Sequence, residues 1–428
     1  MKFCIENLGC KVNAFEAEAI AELLQKDGYQ RVTFEEEPDL TIVFTCAVTN
    51  TAASKSRKVL HRAKRIKEDE IVALVGCYVQ VDDGLVDDAD ILVGTKNKNK
   101  LPYYIQQYLK DHKKIKDIEV LDDVSFENFS SSILDSKARC DLKIQDGCNQ
   151  FCSYCVIPYA RGRERSMEPS LAIQEADKLS KKYHEIVLTG IHTGRYGKEY
   201  GYTLTKLLKE MLLQTNDVRY RISSIEVTEV TDELIQLIKE NDRICRFLHI
   251  PLQSGCDSVL KRMRRPYDTA GYYAKIEKIR KELPNISIST DLIVGFPNET
   301  DEEFNETYEF LKKCNFSFLH VFPYSLREGT IAASMPCQIE PSIKKERAKK
   351  CITLSEQLYD TYQVSQVGKE ADIIAEYVKE TYSTGHTSEY IPVRIEDKLV
   401  HGQKYHVVLE RYEDHQMFAR KVDENEVK

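Results

Sequence analysis

Cys148, Cys152 and Cys155 stand in the run Gly147-Cys148-Asn149-Gln150-Phe151-Cys152-Ser153-Tyr154-Cys155, a C-x3-C-x2-C spacing that lets one short loop wrap three thiolates around a single inorganic cluster. An electron-carrying 4Fe-4S cluster takes four cysteines, one per iron. Three leave one iron open to something other than protein, and an open iron suggests chemistry. A structural zinc site is the plainer reading, but it normally takes four ligands and favours paired C-x2-C knuckles.

Three more cysteines have a placement of their own. Residues 1–110 alternate strand and helix signals: strands at Lys2 to Leu8, Leu40 to Thr45, Ile71 to Gly76 and Ile91 to Gly94, with helices near Ala14 to Asp27, Thr51 to Lys67 and Leu101 to Leu109. This pattern predicts a small parallel α/β sheet. Cys10, Cys46 and Cys77 each follow one of its strands, and the carboxyl ends of parallel strands form one crevice, so the three should converge. One cysteine at a strand end is usually a small buried hydrophobe; three at equivalent ends point to a second ligand set. The other seven, Cys4, Cys140, Cys245, Cys256, Cys314, Cys337 and Cys351, read as structural.

Residues 111–137 mix charges with Ser130, Ser131 and Ser132 and read as a linker. Residues 138–367 carry six strand-like runs, Cys140 to Gln145, Glu185 to Thr189, Tyr220 to Val227, Phe247 to Leu252, Ile286 to Phe296 and Phe318 to Tyr324, mostly separated by helical segments. Six βα units make an open barrel, whose carboxyl face would hold the loop of Cys148. Thr300 with Glu303 is a capping box, and Pro341 opens a helix with Cys351, Leu354, Leu358 and Tyr362 on one face. Residues 368–428 shorten to Ala371 to Tyr377, Ile391 to Ile395, Tyr405 to Leu409 and Met417 to Arg420, the pattern of a small antiparallel β-barrel.

The chain has 428 residues, with 61 Lys and Arg against 69 Asp and Glu, a net charge of -8 that excludes a general positive field for nucleic acid. Any RNA contact must be local. Thirteen cysteines is an odd number, the opening Met1 to Glu6 has no apolar h-region, and no run is long enough to span a bilayer. A reducing cytoplasm, with no membrane and with cysteines used as ligands, is the expectation.

The cysteine loop, with Tyr154 before its third cysteine, resembles that of the radical S-adenosylmethionine (SAM) enzymes. Leu8-Gly9-Cys10-Lys11-Val12-Asn13, Thr45-Cys46-Ala47-Val48-Thr49 and Val75-Gly76-Cys77-Tyr78-Val79-Gln80 resemble the cysteine motifs of one branch, the methylthiotransferases. Arg161-Gly162-Arg163-Glu164-Arg165-Ser166 and a terminal module similar to the RNA-binding TRAM domain extend the resemblance over essentially the whole chain. It implies two 4Fe-4S clusters, one on Cys148, Cys152 and Cys155 and one on Cys10, Cys46 and Cys77, with SAM as both methyl donor and source of a 5′-deoxyadenosyl radical. An electron donor such as flavodoxin or ferredoxin is also implied. SAM contacts are implied at Tyr154, at Gly190 after the second barrel strand, and at Asp291 and Gly295, although Tyr154 can equally be ordinary packing and the glycines turn residues.

Within the family, Gly9-Cys10-Lys11-Val12-Asn13 resembles the branch acting on N6-threonylcarbamoyladenosine in tRNA. Isopentenyladenosine in tRNA and a ribosomal protein aspartate are the alternative substrates; an iron-sulfur carrier or RNA-binding redox sensor is the alternative of another class. RNA candidates are Lys55, Lys58, Arg62 and Arg65, aligned on one helix side, and Arg161, Arg163 and Arg165, each of which reads equally as a solvated face. Lys261 to Arg265 is a third basic block, and Arg394 with Tyr382 and Tyr390 a local surface on the terminal module, although residues 368–428 hold nine Lys and Arg against thirteen Asp and Glu. No residue contacting the base is singled out.

Overall fold

The computed structural model describes residues 1–48, 50–67, 69–81, 88–122, 125–130, 134 and 136–422. Thr49 of the second cysteine motif and Ser131 and Ser132 of the expected linker lie outside them. No helix among the described residues is long and apolar enough to cross a membrane.

The first unit is a parallel sheet of β1 (Lys2–Asn7), β2 (Gln30–Arg31), β3 (Leu40–Thr45), β4 (Ile71–Gly76), β5 (Ile91–Val93) and β6 (Ile115–Asp117), in the order 2-1-3-4-5-6. β3 and β4 are buried along their whole length because helices cover both faces. α1 (Lys11–Lys26) and α4 (Leu101–Asp111) pack Phe15, Ile20, Leu24 and Ile105 on one face; α2 (Asn50–Ile66) packs Leu60 and Ala63 on the other, beside the short α3 (Cys77–Val81). The order reverses between β1 and β3, where such sheets bind ligands. β6 is a difference from the sequence reading, since the sheet extends into the expected linker through Ile115, paired with Ile91.

The central unit carries β7 (Cys140–Lys143), β8 (Gln145–Asp146), β9 (Arg165–Ser166), β10 (Glu185–Thr189), β11 (Arg219–Ile222), β12 (Phe247–His249), β13 (Ser287–Val294) and β14 (Phe318–Pro323). β7-β10-β11 and β12-β13-β14 are parallel sheets, joined by the bridge of Tyr220 to Ile244 and by Ile225 N–H donating to His249 O at 3.0 Å. Six strands in chain order thus form an open barrel with β7 and β14 at its edges. Outside it run α5 (Ile157–Arg161), α6 (Pro169–Ser180), α7 (Leu204–Gln214), α8 (Asp232–Glu240), α9 (Asp257–Arg262), α10 (Thr269–Glu282), α11 (Asp301–Cys314) and α12 (Pro341–Val364). The capping box of Thr300 and Glu303 starts α11 as expected. Leu142, Leu188, Ile222, Leu248, Ile288 and Leu292 face the helices, which leaves the alternate, largely polar residues to face inward.

The third unit is a closed barrel of β15 (Glu370–Val378), β16 (Ser383–His386), β17 (Pro392–Ile395), β18 (Lys404–Glu413) and β19 (Gln416–Lys421). Most of its pairs are antiparallel, but β17 and β19 are parallel. β16 was not visible in the sequence because Ser383-Thr384-Gly385-His386 has no apolar alternation. α12 joins the units, with Leu354 and Leu358 against the central core and Tyr362 against the third.

The third unit seats on the amino ends of the barrel strands. Glu185 accepts from Arg219 Nε at 2.6 Å and Arg221 Nε at 2.9 Å, with Arg139 Nη1 at 3.6 Å. The remaining guanidinium N–H groups donate across the junction, from Arg219 to the carbonyls of Asp372 and His386 and from Arg221 to those of Thr387 and Ser388. Tyr390 inserts between Phe247 and His386, with ring centroids at 5.1 and 4.7 Å. Tyr390 thus packs beneath the barrel, half-buried, and Arg394 lies 4.0 Å above the Tyr382 ring.

Candidate functional site

The loop of Cys148 starts after β8 and ends at β9, and the short antiparallel ladder of Gln145 with Ser166 and Asp146 with Arg165 closes its neck. Gly147 has φ +70, and a Cβ there would lie 2.0 Å from Arg163 O, so only glycine lets the chain turn into the loop. Inside, each sulfur has a defined neighbour. Arg265 Nη1 donates to Cys152 Sγ at 3.2 Å and is held from behind by Glu226. His192 Nδ1 lies 3.5 Å from Cys148 Sγ, with its Nε2 2.8 Å from Glu229 Oε1. Burial lowers the His192 pKa, but its bonds to Cys148 and Glu229 outweigh this and push it up to about 10. Burial, reinforced by the neighbouring Cys152, pushes the Cys155 thiol up to about 12.

Cys10 caps α1, Cys46 follows β3 and Cys77 opens α3, all at the carboxyl ends of adjacent strands. The charges of Cys10 and Cys46 both act on Cys77, and that of Cys10 on Cys46. Burial pushes Cys77 up to about 11, opposed by Arg161, whose Nε donates to Cys77 Sγ at 3.2 Å. The two cysteine sets share a wall, because Ala47 and Cys77 pack against Val156 and Ala160 of the loop and helix after Cys155. Beside Cys155 a cleft is lined by Val48, two residues after Cys46, and by Tyr154, Gln253, Asp291 and Phe322.

Among the described residues no three or more His, Cys, Asp or Glu gather as a single metal ion would need. The donor sets fit clusters that take three thiolates each. Both offer soft sulfur with an arginine N–H on one of them, and thiols that burial holds neutral are ionised by the metal they bind. The charges beneath the second set point the same way. Among the described residues Lys98, Lys143, Arg161 and Arg165, four cations, meet three carboxylates, Glu16, Asp146 and Glu127, with Lys143 Nζ 2.6 Å from Glu16 and Arg161 Nη1 3.0 Å from Asp146. Burial would raise Glu16, but Arg161, Lys143 and Lys98 outweigh it and hold its carboxyl at about 2. The surplus cation is thus available to an anionic cluster beside Cys77.

The Radical SAM superfamily matches residues 142–311, and the uncharacterized protein family UPF0004 matches residues 2–94. Over 398 residues, 90% of this chain and 88% of the relative, the sequence is 42% identical to the threonylcarbamoyladenosine tRNA methylthiotransferase MtaB of Bacillus subtilis (strain 168). The chain belongs to the radical SAM methylthiotransferase family. A methylthiotransferase of the same name from Thermotoga maritima is 36% identical over 90% of this chain and 89% of its own. The tRNA-2-methylthio-N(6)-dimethylallyladenosine synthase of Thermoanaerobacter pseudethanolicus is 33% identical over 90% of this chain and 84% of its own. Among solved structures, the cobalamin-dependent SAM radical enzyme OxsB has a similar fold, with a TM-score of 0.51, 10% identity, and coverage of 84% of this chain and 56% of that one. This methylthiotransferase is therefore a radical SAM enzyme that uses SAM and an iron-sulfur cluster.

The structure sorts the remaining candidates. Tyr154 and Asp291 line the cleft beside Cys155, whereas Gly190 lies against Gln145 and Thr193, and Gly295, at φ +70 under Lys344, makes a turn before α11. Lys55, Lys58, Arg62 and Arg65 are exposed on α2, while the intervening Arg57 and Lys64 are tied back to Tyr78 and Asp90 at 2.7 Å each. Arg161 and Arg165 are corrections. Arg161 is 0% exposed and Arg165 7%, both drawn inward by Asp146, so neither reaches RNA; Arg163 is exposed and lies 4.8 Å from the Phe151 ring. The block from Lys261 divides likewise, since Arg262 pairs with Glu303 at 2.7 Å and Arg265 serves Cys152. Of the cysteines read as structural, only Cys337 is exposed.

Asn13, Glu16, Lys143 and Asp146 escaped the sequence reading, although a carboxylate among the buried Val12, Phe15 and Ile20 of α1 was a signal of an inward partner. Arg161→Gln is expected to destabilise the metal-free protein by about 3 to 5 kcal/mol, the cost of removing one member of a buried ion network, as urea denaturation would read. A variant of unchanged stability that had lost only tRNA affinity would restore the RNA reading of Arg161.

Proposed function

We propose that this enzyme attaches a methylthio group to C2 of N6-threonylcarbamoyladenosine beside the anticodon of tRNA, with two 4Fe-4S clusters, SAM, and a one-electron donor of the flavodoxin or ferredoxin class. The observation that carries the reading is the cleft in which Val48, two residues after Cys46, faces Tyr154 and Cys155. A carbon placed there lies against Cys155 and against the segment that follows Cys46. The substrate follows the named relative that is 42% identical along nearly the whole chain.

When bound on Cys148, Cys152 and Cys155, the cluster with SAM supplies the one-electron cleavage that frees a 5′-deoxyadenosyl radical. The chain's own residues hold and orient. Arg265 and His192 fix the Cys152 and Cys148 sulfurs, Tyr154 and Asp291 border the space for SAM, and Val48, Ile293 and Phe322 give the cleft an apolar face for the base. Exposed Lys55, Lys58, Arg62 and Arg65 suit the RNA backbone, and Arg394 over Tyr382 suits a stacked base.

Deleting the gene should leave N6-threonylcarbamoyladenosine unconverted in tRNA, as nucleoside mass spectrometry would detect. The purified enzyme, reconstituted anaerobically and given SAM, reductant and sulfide, should methylthiolate that base. Loss of methylthio-isopentenyladenosine instead, or of the modification on a ribosomal protein, would reassign the substrate.

A further inference from the structure

Lys11 is the first residue of α1, directly after Cys10, and α1 packs against the edge strand β7. Its side chain is exposed and makes no hydrogen bond or ion pair among the described residues. Its charge nevertheless acts on Asp141 of β7 and His320 of β14, the two edge strands of the open barrel. Lys11 thus opens a helix that lies along β7, at the open edge of the barrel. Lys137 and Arg139 also act on the Asp141 carboxylate, and Thr189 Oγ1 lies 3.4 Å from it.

The inner wall behind Lys11 is polar. His249 Nε2 lies 3.2 Å from Asp291 Oδ2 and its Nδ1 2.8 Å from Ser289 Oγ, and the rings of His249 and His320 are 5.5 Å apart. His320, on which the Lys11 charge acts, pairs across the β13–β14 ladder with Asp291, which lines the cleft beside Cys155. In adenine, C2 and C6 both flank N1, so a base that presents C2 to the cleft carries its N6 substituent along the same edge. A flexible cation one residue from Cys10 is within reach of that substituent's end.

We propose that Lys11 binds the carboxylate of the threonylcarbamoyl group, and so selects an anionic N6 substituent over an apolar one. This rests on the substrate reading above. The cation is unpaired because its partner arrives with the RNA, and a lysine accepts a carboxylate as a mobile point charge without the fixed geometry of a guanidinium.

The test is a cycle in which the charge is removed from either side. Wild type, Lys11→Met and Lys11→Arg are compared, at equal iron content, for affinity toward synthetic anticodon stem-loops bearing N6-threonylcarbamoyladenosine, its methyl ester or isopentenyladenosine. Esterification is expected to weaken binding to wild type about ten- to a hundredfold, as loss of a charge-assisted hydrogen bond does. It should have little effect on Lys11→Met and regain most of its effect in Lys11→Arg. Additive losses from ester and mutation, an equal loss on all three RNAs, or no loss would each overturn the assignment. A wild-type enzyme that methylthiolates only the isopentenyladenosine stem-loop would instead overturn the substrate reading, whatever the cycle gives.

Discussion

Replacing Cys152 with alanine is expected to abolish reductive cleavage of SAM, while replacing Cys77 is expected to leave cleavage intact and abolish methylthio transfer. Cys152 is buried under Arg265, and its loss leaves two thiols on a loop that needs three. Cys77 belongs to the other set, after a strand of another sheet, and meets the segment after Cys155 through Arg161, Val156 and Ala160. Reconstituted wild type should hold about eight irons, and each variant about four. Measuring 5′-deoxyadenosine and methylthiolated RNA from the same reactions separates the two roles. Full methylthiolation by Cys77→Ala would remove that residue from the second set, and a wild type with only four irons would remove the set itself.

Glu185→Ala should cost about 3 to 5 kcal/mol of stability in the transition that unfolds the barrel, because it leaves buried cations without their counter-charge. Glu185 is 0% exposed and answers Arg139, Arg219 and Arg221 together. Burial would raise its pKa, but Arg219 and Arg221 hold the carboxyl well below its ordinary 4.5. A depressed carboxylate stabilises fully above its unfolded pKa and loses that contribution as pH falls toward its folded one. The difference between wild type and Glu185→Ala should therefore be constant near neutrality and narrow below about pH 4.3. Urea melts at several pH values would read this, and a difference below 1 kcal/mol at pH 7 would contradict it.

The placement of the six cysteines was legible because their signals are local or follow from topology: three thiols in one loop, and three thiols at the carboxyl ends of neighbouring parallel strands. The barrel's order was legible for the same reason. What the sequence hid was the direction of charges. Arg161 and Arg165 look like a basic surface run, yet their partners Glu16 and Asp146 are 145 and 19 residues away, and nothing local marks a cation as buried. Nothing local in the sequence shows that Tyr390 also packs against Phe247 of the neighbouring barrel. β6 and β16 were missed because three and four residues of mixed polarity carry no period.

The third unit's seat on the barrel bears on how the chain is made. Synthesis runs from the amino end and domains fold as units in that order, so all six barrel strands exist before Asp372, His386, Thr387 and Ser388, whose carbonyls receive Arg219 and Arg221. Until those residues leave the ribosome, the guanidinium groups have only Glu185 and water. The nascent barrel is a tube open at both ends, and its floor is laid last.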